Sequence, residues 1–214
     1  NYAGLSKESG VRSKYISRYH NGKLFEIDLS GFHMYLIYNI IGLEFDRSIY
    51  QKLSNYYPPD VDPKTYTFKQ IYGQINKDLI DIEPFKSINK LRQNIYQDYL
   101  NNQCNTFLFK KPVQIPNITE TKLFNYMLQN VETEFNATII NILLNKLEKF
   151  DTKLILYQYD SFLFDWNPVD GRNVLTEIVK VFDQIPFKIK TGSNYHELLP
   201  LSIKRPVNDL VLGE

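Results

Sequence analysis

The sequence predicts an α+β fold built on an antiparallel sheet, and three observations lead there. Strand-like runs sit beside tight-turn signals: "GKLFEIDLS" follows Asn21-Gly22, and "KLILYQYDSFLFDW" doubles back near Tyr159-Asp160. Between such runs, apolar residues recur at helical intervals, most extensively from Asn117 to Leu147. Helices therefore alternate with hairpin-type strands, a pattern that fits an antiparallel sheet better than a parallel one.

The elements follow in order. After the first strand, the apolar stretch from Gly31 to Gly42 reads as a buried helix stopped by Gly42, and a short helix is expected from Asp46 to Asn55. In "YYPPDVDPKTYTFKQIYG", Asp62 suits an N-cap and Pro63 the first helical position, so a helix runs from Pro63 to about Gly73. Residues 86–101 form an amphipathic helix and 105–115 a short hairpin-like stretch. Asn117 and Glu120 have capping-box spacing and open a helix of about thirty residues. Two strands then meet at Tyr159-Asp160, Asn167-Pro168 starts a helix to about Asp183, and "PFKIKTGS" is the last strand.

Composition narrows the classes. The 214 residues are 43% hydrophobic and 23% charged, which suits a globular domain, and no run of eighteen apolar residues offers a membrane span. Cys104 is the only cysteine, so no disulfide can form within the chain. One Cys and three scattered His residues (His20, His33, His196) also lack zinc-ligand spacing. The chain starts at Asn1 without a signal-type segment, and we expect a piece of a longer protein. A reducing compartment is expected. The net charge of +1 argues against a nucleic-acid binder, but the first quarter of the chain is basic.

Three constellations carry chemistry. Asp28 and Asp160 are embedded in apolar strands, where a carboxylate is costly unless it is paired or binds a metal. Each alone reads equally as a turn residue capping local amides. Two strand-borne carboxylates sharing a sheet suit divalent cations such as Mg2+, which takes one or two carboxylates plus phosphate oxygens. Second, Lys64, Phe68 and Tyr72 lie along one helix face, with Gly73 after them. That face offers a cation near a helix N-terminus and two rings for a nucleotide, or else a core-facing aromatic stripe. Third, Asn125 and Gln129 are one helical turn apart. Such amides can read minor-groove acceptors, or lie buried and be satisfied by backbone.

Taken in order, these elements resemble the family A DNA polymerases, the group of bacterial DNA polymerase I and many phage replicases. "DLSGFHMY" resembles the first palm motif. "KTYTFKQIYG" matches the fingers-helix pattern Lys-x3-Phe/Tyr-x3-Tyr-Gly, and "FNYMLQNVET" is similar to the long-helix segment Asn-x3-Gln. "YQYDSFLFD" resembles the second palm motif, "NYAGLSKESGVRSKYI" the stretch entering the palm, and "KIKTGSNYHEL" the terminal strand. The resemblance implies a palm over 1–42 and 105–214 and a short helical fingers insertion over 43–104.

It also implies roles. Asp28 and Asp160, with the carbonyl of Leu29, bind two Mg2+ ions. Lys64 holds the triphosphate and protonates pyrophosphate; Phe68 lines the sugar pocket; Tyr72 and Gly73 lie near the template base. Asn125 and Gln129 track the minor groove of the primer-template, and Arg12 and Arg18 contact its phosphates. The partners implied are primer-template DNA and dNTPs, without a membrane; thumb and exonuclease belong to a missing upstream segment or a partner chain.

Departures bear on the type of polymer made. His33 stands where the family has a Glu that blocks the ribose 2′-hydroxyl, and Ser161 and Tyr159 flank Asp160 where Glu and His are usual. Single-subunit phage-type RNA polymerases carry His-Asp-Ser there, but they usually place Met at the position of Phe68. Asp60 replaces an expected Arg, whose phosphate role passes to Arg47 or Lys52. The alternatives are thus an RNA polymerase of that class, a non-catalytic nucleic-acid-binding module with a polymerase fold, or an unrelated α+β domain.

Overall fold

A computed structural model describes residues 10–201, so the first nine residues of the expected entering stretch lie outside the described residues. Two compact units emerge: Asn1–Phe32 with Ala137–Glu214, and His33–Asn136. These units follow packing, whereas the expected palm and fingers segments follow the order of motifs, and the two divisions are different.

The first unit is built on a five-stranded sheet in the order β2-β3-β1-β4-β5, antiparallel throughout. Its strands are β1 (Lys23–Leu29), β2 (Lys153–Gln158), β3 (Ser161–Trp166), β4 (Phe187–Gly192) and β5 (Leu199–Leu201). Alternation along β1 sends Phe25, Ile27 and Leu29 to one face, all buried. There Phe25 meets Phe164 at 5.5 Å between ring centroids, and Phe162 meets Phe182 at 5.1 Å, just past helix α6 (Gly171–Val181). Each such side chain contributes about 1.5–3 kcal/mol by leaving water.

The other face carries Leu24, Glu26 and Asp28. Glu26 lies opposite Lys190 and Leu163, and Asp28 opposite Lys188 and Ser161. A one-residue slip would exchange these charges with Phe25 and Ile27, so the hydrophobic set fixes the position of Asp28.

The second unit packs four helices and the first part of a fifth. They are α1 (Phe32–Ile41), whose first residue belongs to the other unit, α2 (Ile49–Leu53), α3 (Pro63–Tyr72), α4 (Phe85–Leu100) and α5 (Glu120–Leu147), which runs on past Asn136. Met34, Ile37, Ile71, Phe85, Leu123 and Phe124 form its fully buried centre. As expected, Gly42 ends α1 with φ 71°, and the Asp62 carboxylate accepts from the Thr65 N–H at 2.7 Å, with Pro63 at the first turn of α3. An α+β fold with an antiparallel sheet and long helices is what the sequence predicts.

Several local expectations are corrected. Asn117 does not cap α5: it has φ 57°, whereas an N-cap takes extended geometry, and Thr119 accepts from the Lys122 N–H at 3.4 Å instead. The hairpin-like stretch expected over 105–115 is present, with an antiparallel bridge from Asn105 to Pro112 and the Thr106 and Val113 N–H groups on the Lys111 and Cys104 carbonyls at 2.8 and 2.9 Å, but it extends into no strand. Pro112 has no N–H to offer, and the N–H groups of Leu108 and Phe109 are taken by the Glu134 carboxylate at 3.0 and 3.2 Å. The helix expected over Asp46–Asn55 begins only at Ile49, because Asp46 takes the Ser48 N–H at 2.8 Å, and it ends in a 3-10 turn. The helix expected from Asn167 is broken into a 3-10 turn (Pro168–Asp170) and α6 by Gly171, at φ 60°. β4 is not the last strand, since β5 pairs with it.

Candidate functional site

The first unit brings Asp28 and Asp160 to neighbouring backbones. A two-residue turn joins β2 to β3, and its first residue, Tyr159, has φ 55°. That conformation is unfavourable for a large L side chain, so the tight turn is imposed by the pairing of the strands on both sides. The Leu29 N–H donates to the Asp160 carbonyl at 2.8 Å, which fixes the end of β1 beside the turn. The Leu29 side chain is buried; Asp160 is exposed and Asp28 half-buried. Two reachable carboxylates are hard oxygen donors of the kind Mg2+ takes, and they fit that ion. Among the described residues no cluster of three or more His, Cys, Asp or Glu stands ready to hold a metal, so further ligands would have to come from phosphate and water.

Sequence reading missed what surrounds Asp28. Lys190 Nζ donates to Asp28 Oδ2 at 2.5 Å and to Glu26 Oε2 at 3.0 Å, and Ser161 Oγ donates to Glu26 Oε1 at 2.8 Å. Glu26 is only 6% exposed, and a carboxylate so buried needs such partners. Burial disfavours the Lys190 ammonium, but its bonds to Asp28 and Glu26 outweigh this and raise its pKa. The signal was legible in part: Glu26 is two residues from Asp28 on a strand, hence on the same face.

The two arginines of the entering stretch are engaged within this unit. Arg18 pairs with Asp165 at 3.4 Å and lies 4.8 Å from the Tyr19 ring centroid, and Arg12 lies 4.8 Å from that of Tyr195.

In the second unit, α3 presents the expected row. Lys64 is exposed, its ammonium 6.0 Å from the Phe68 ring centroid, and Phe68 stacks on Tyr72 at 5.8 Å with rings 20° apart. Gly73 ends the helix where a larger residue would force the backbone to shift, since a Cβ there would stand 2.7 Å from the Lys69 carbonyl oxygen. Arg92, absent from the sequence reading and 4% exposed, donates to the carbonyls of Ile71 at 2.5 Å and Gly73 at 2.9 Å. Asn125 Nδ2 donates to the Tyr72 carbonyl at 2.9 Å, while Gln129 is exposed. These bonds anchor the C-terminal end of α3 on both sides. Arg47 is exposed, and Lys52 is occupied by Asp46 at 2.5 Å, which helps hold the Asp46 carboxyl at about 2.

His33 joins this group. Its Nε2 lies 2.9 Å from Glu132 Oε2, and the Tyr72 hydroxyl hydrogen-bonds to its Nδ1. A carboxylate only accepts, so Nε2 carries a proton; with Nδ1 unprotonated, the Tyr72 phenol donates to it. Burial, then the nearby Glu132 charge, pushes the Tyr72 pKa up, which keeps the phenol protonated as donor. Glu132 was not anticipated either, although it stands seven residues after Asn125 on the same helix face.

No family model and no curated protein matches the sequence. Among solved structures, the POL domain of Pol1 from M. smegmatis, in complex with DNA primer-template and dNTP, superposes with a TM-score of 0.73 over 92% of this chain. Identity is 12%, so the likeness is one of fold, and this chain covers 44% of that chain.

Proposed function

We propose that this chain is the palm and fingers of a template-directed DNA polymerase of the family A type, adding dNTPs to a primer 3′ end. The observation that carries the reading is the bond from the Leu29 N–H to the Asp160 carbonyl, which sets two acidic motifs from distant parts of the sequence side by side. The polymerase fold of a neighbour bound to primer-template and dNTP supports it. Asp28, Asp160 and the Leu29 carbonyl would hold two Mg2+ ions, whose charge serves the attacking hydroxyl and the leaving pyrophosphate.

The remaining roles fall to this chain's own side chains. Lys64 binds the triphosphate and supplies a proton to pyrophosphate, Phe68 and His33 bound the sugar, and Tyr72 with Gly73 meets the template base. Asn125 and Gln129 follow the minor groove, and Arg12 and Arg18 contact phosphates. Catalysis then rests on positioning and charge rather than covalent chemistry. We assign the palm to 1–42 and 105–214, the fingers to 43–104, and the thumb and any exonuclease to an upstream segment or a partner chain. The cytoplasm of a bacterium or an infected host is the setting proposed.

Replacing Asp160 with Ala abolishes primer extension while the far-ultraviolet spectrum and melting curve stay those of the parent; extension retained by Asp160→Ala overturns the reading. Salt-sensitive DNA binding without extension at any Mg2+ concentration would instead identify a non-catalytic module. Ser161 after Asp160 favours a second reading, RNA synthesis, and incorporation of rNTP against dNTP on one primed template decides between the two.

A further inference from the structure

We propose that Lys190 is a resident counter-cation of Asp28, which a divalent metal ion must displace toward Glu26 in order to bind. This rests on the assignment of Asp28 as a metal ligand. The geometry supports it: one ammonium bridges Asp28 Oδ2 at 2.5 Å and Glu26 Oε2 at 3.0 Å. Lys190 is directly opposite Glu26 in the β1–β4 register, while Asp28 is diagonal to it, so the Glu26 contact is the one the strands enforce. Glu26 is also locked by Ser161 and its side chain is 8% exposed, against 32% for Asp28. Lys190 thus has a fixed, buried partner and a reachable one, and only the reachable one can exchange it for another cation.

Two consequences follow. Before metal arrives, Lys190 orients Asp28 through one carboxylate oxygen and offsets its charge. When metal arrives, the ammonium repels it at short range, which weakens binding until Lys190 withdraws onto Glu26. Lys190 is therefore a positioning residue that sets metal affinity, and Glu26 is its second berth.

The test measures Mn2+ binding to the 214-residue chain by electron paramagnetic resonance, without nucleotide or DNA. Lys190→Met binds Mn2+ roughly tenfold more tightly than the parent, the effect of removing one adjacent like charge. Glu26→Gln binds more weakly, since Lys190 then has Asp28 as its remaining carboxylate partner. In the Lys190→Met background that weakening shrinks, which a mere loss of nearby negative charge would not produce. Circular dichroism establishes folding of each variant, and if Lys190→Met does not fold, Lys190→Gln, which also removes the charge, supplies the same comparison. Unchanged affinity in folded variants, with Asp28→Asn still abolishing binding, overturns the role of Lys190 and leaves the metal assignment standing. No Asp28-dependent binding in any of these proteins removes the metal assignment itself, and this inference with it.

Discussion

Two carboxylates at the centre of the two units are treated in opposite ways. Asp28, on the sheet, is met by a full charge: Lys190 holds it at 2.5 Å, and its side chain is 32% exposed. Glu132, on α5, is met by an imidazole N–H: His33 donates to it, and its side chain is 12% exposed. An ammonium on a flexible stem gives strength without direction and can be exchanged for another cation. An imidazole held between a carboxylate and the Tyr72 phenol is fixed in tautomer and angle, and it exchanges for nothing. The first arrangement suits a group that must bind metal ions, and the second a surface that must keep its shape against a ligand. On the proposed function, the sheet unit holds the metal ions, and the His33–Glu132 pair of the helical unit does selection.

The largest expected effect probes the first half of that contrast. Asp28→Asn keeps the size of the side chain and removes the charge, so extension falls by about 10³-fold or more while the fold persists. The loss is equal for dNTP and rNTP, because the charge acts on the reaction and not on the sugar. Single-turnover extension with each nucleotide measures it, and a loss confined to one sugar would break the division of labour. Next comes Gly73→Ala in the helical unit. The new Cβ meets the Lys69 carbonyl oxygen at 2.7 Å, a backbone atom that cannot swing aside, and Arg92 clamps the same turn. Thermal or urea unfolding should show a loss of about 1–3 kcal/mol; unchanged stability would mean that the end of α3 is not rigid.

How much of this was legible in the sequence depended on whether a residue's partner was local. Asp62 as N-cap, Gly42 as terminator and the row of Lys64, Phe68 and Tyr72 were read correctly, because each is determined within a turn or two of chain. Asp28 and Asp160 were singled out by their apolar neighbours, and the pairing of β1 with β3 sets them side by side. Lys190 and Glu132 were missed because their importance lies wholly in partners distant along the chain, Asp28 and His33. The Asn117 cap failed for a related reason: its spacing was right, but a left-handed φ of 57° put the residue outside the helix. For Asn125 the alternative of an amide satisfied by backbone holds, since its donor goes to the Tyr72 carbonyl, whereas Gln129 is exposed.

A smaller effect tests the second half of the contrast. Glu132→Gln leaves a side chain that still accepts from Nε2 through its amide oxygen, but loses the charge that makes the bond strong. His33 is then held less firmly, and the ratio of dNTP to rNTP incorporation shifts by about tenfold, or ~1.4 kcal/mol. Total extension with the preferred nucleotide changes little. A steady ratio with a large fall in rate would place Glu132 in the chemistry and erase the distinction between the units.

The smallest effect comes from Tyr72→Phe, which removes the phenol that His33 accepts from and keeps the ring stacked on Phe68. At neutral pH it costs about 1 kcal/mol, the net worth of one hydrogen bond. Its pH dependence is more informative. The folded Tyr72 has a pKa raised above the ordinary value of 10.0, chiefly by burial. Its stabilisation is therefore fully present below pH 10 and is lost as the pH rises from the unfolded value through the folded one, because the unfolded chain releases the proton first. The stability gap between parent and Tyr72→Phe should accordingly be constant to pH 9 and narrow above pH 10. Tyr38, Tyr50 and Tyr57 are raised to about 12 in the same unit and decline in parallel in both proteins, so the difference isolates Tyr72. Urea unfolding at pH 8, 10 and 11 measures it, and a gap that stays constant to pH 11 would show that the phenol is not buried against His33.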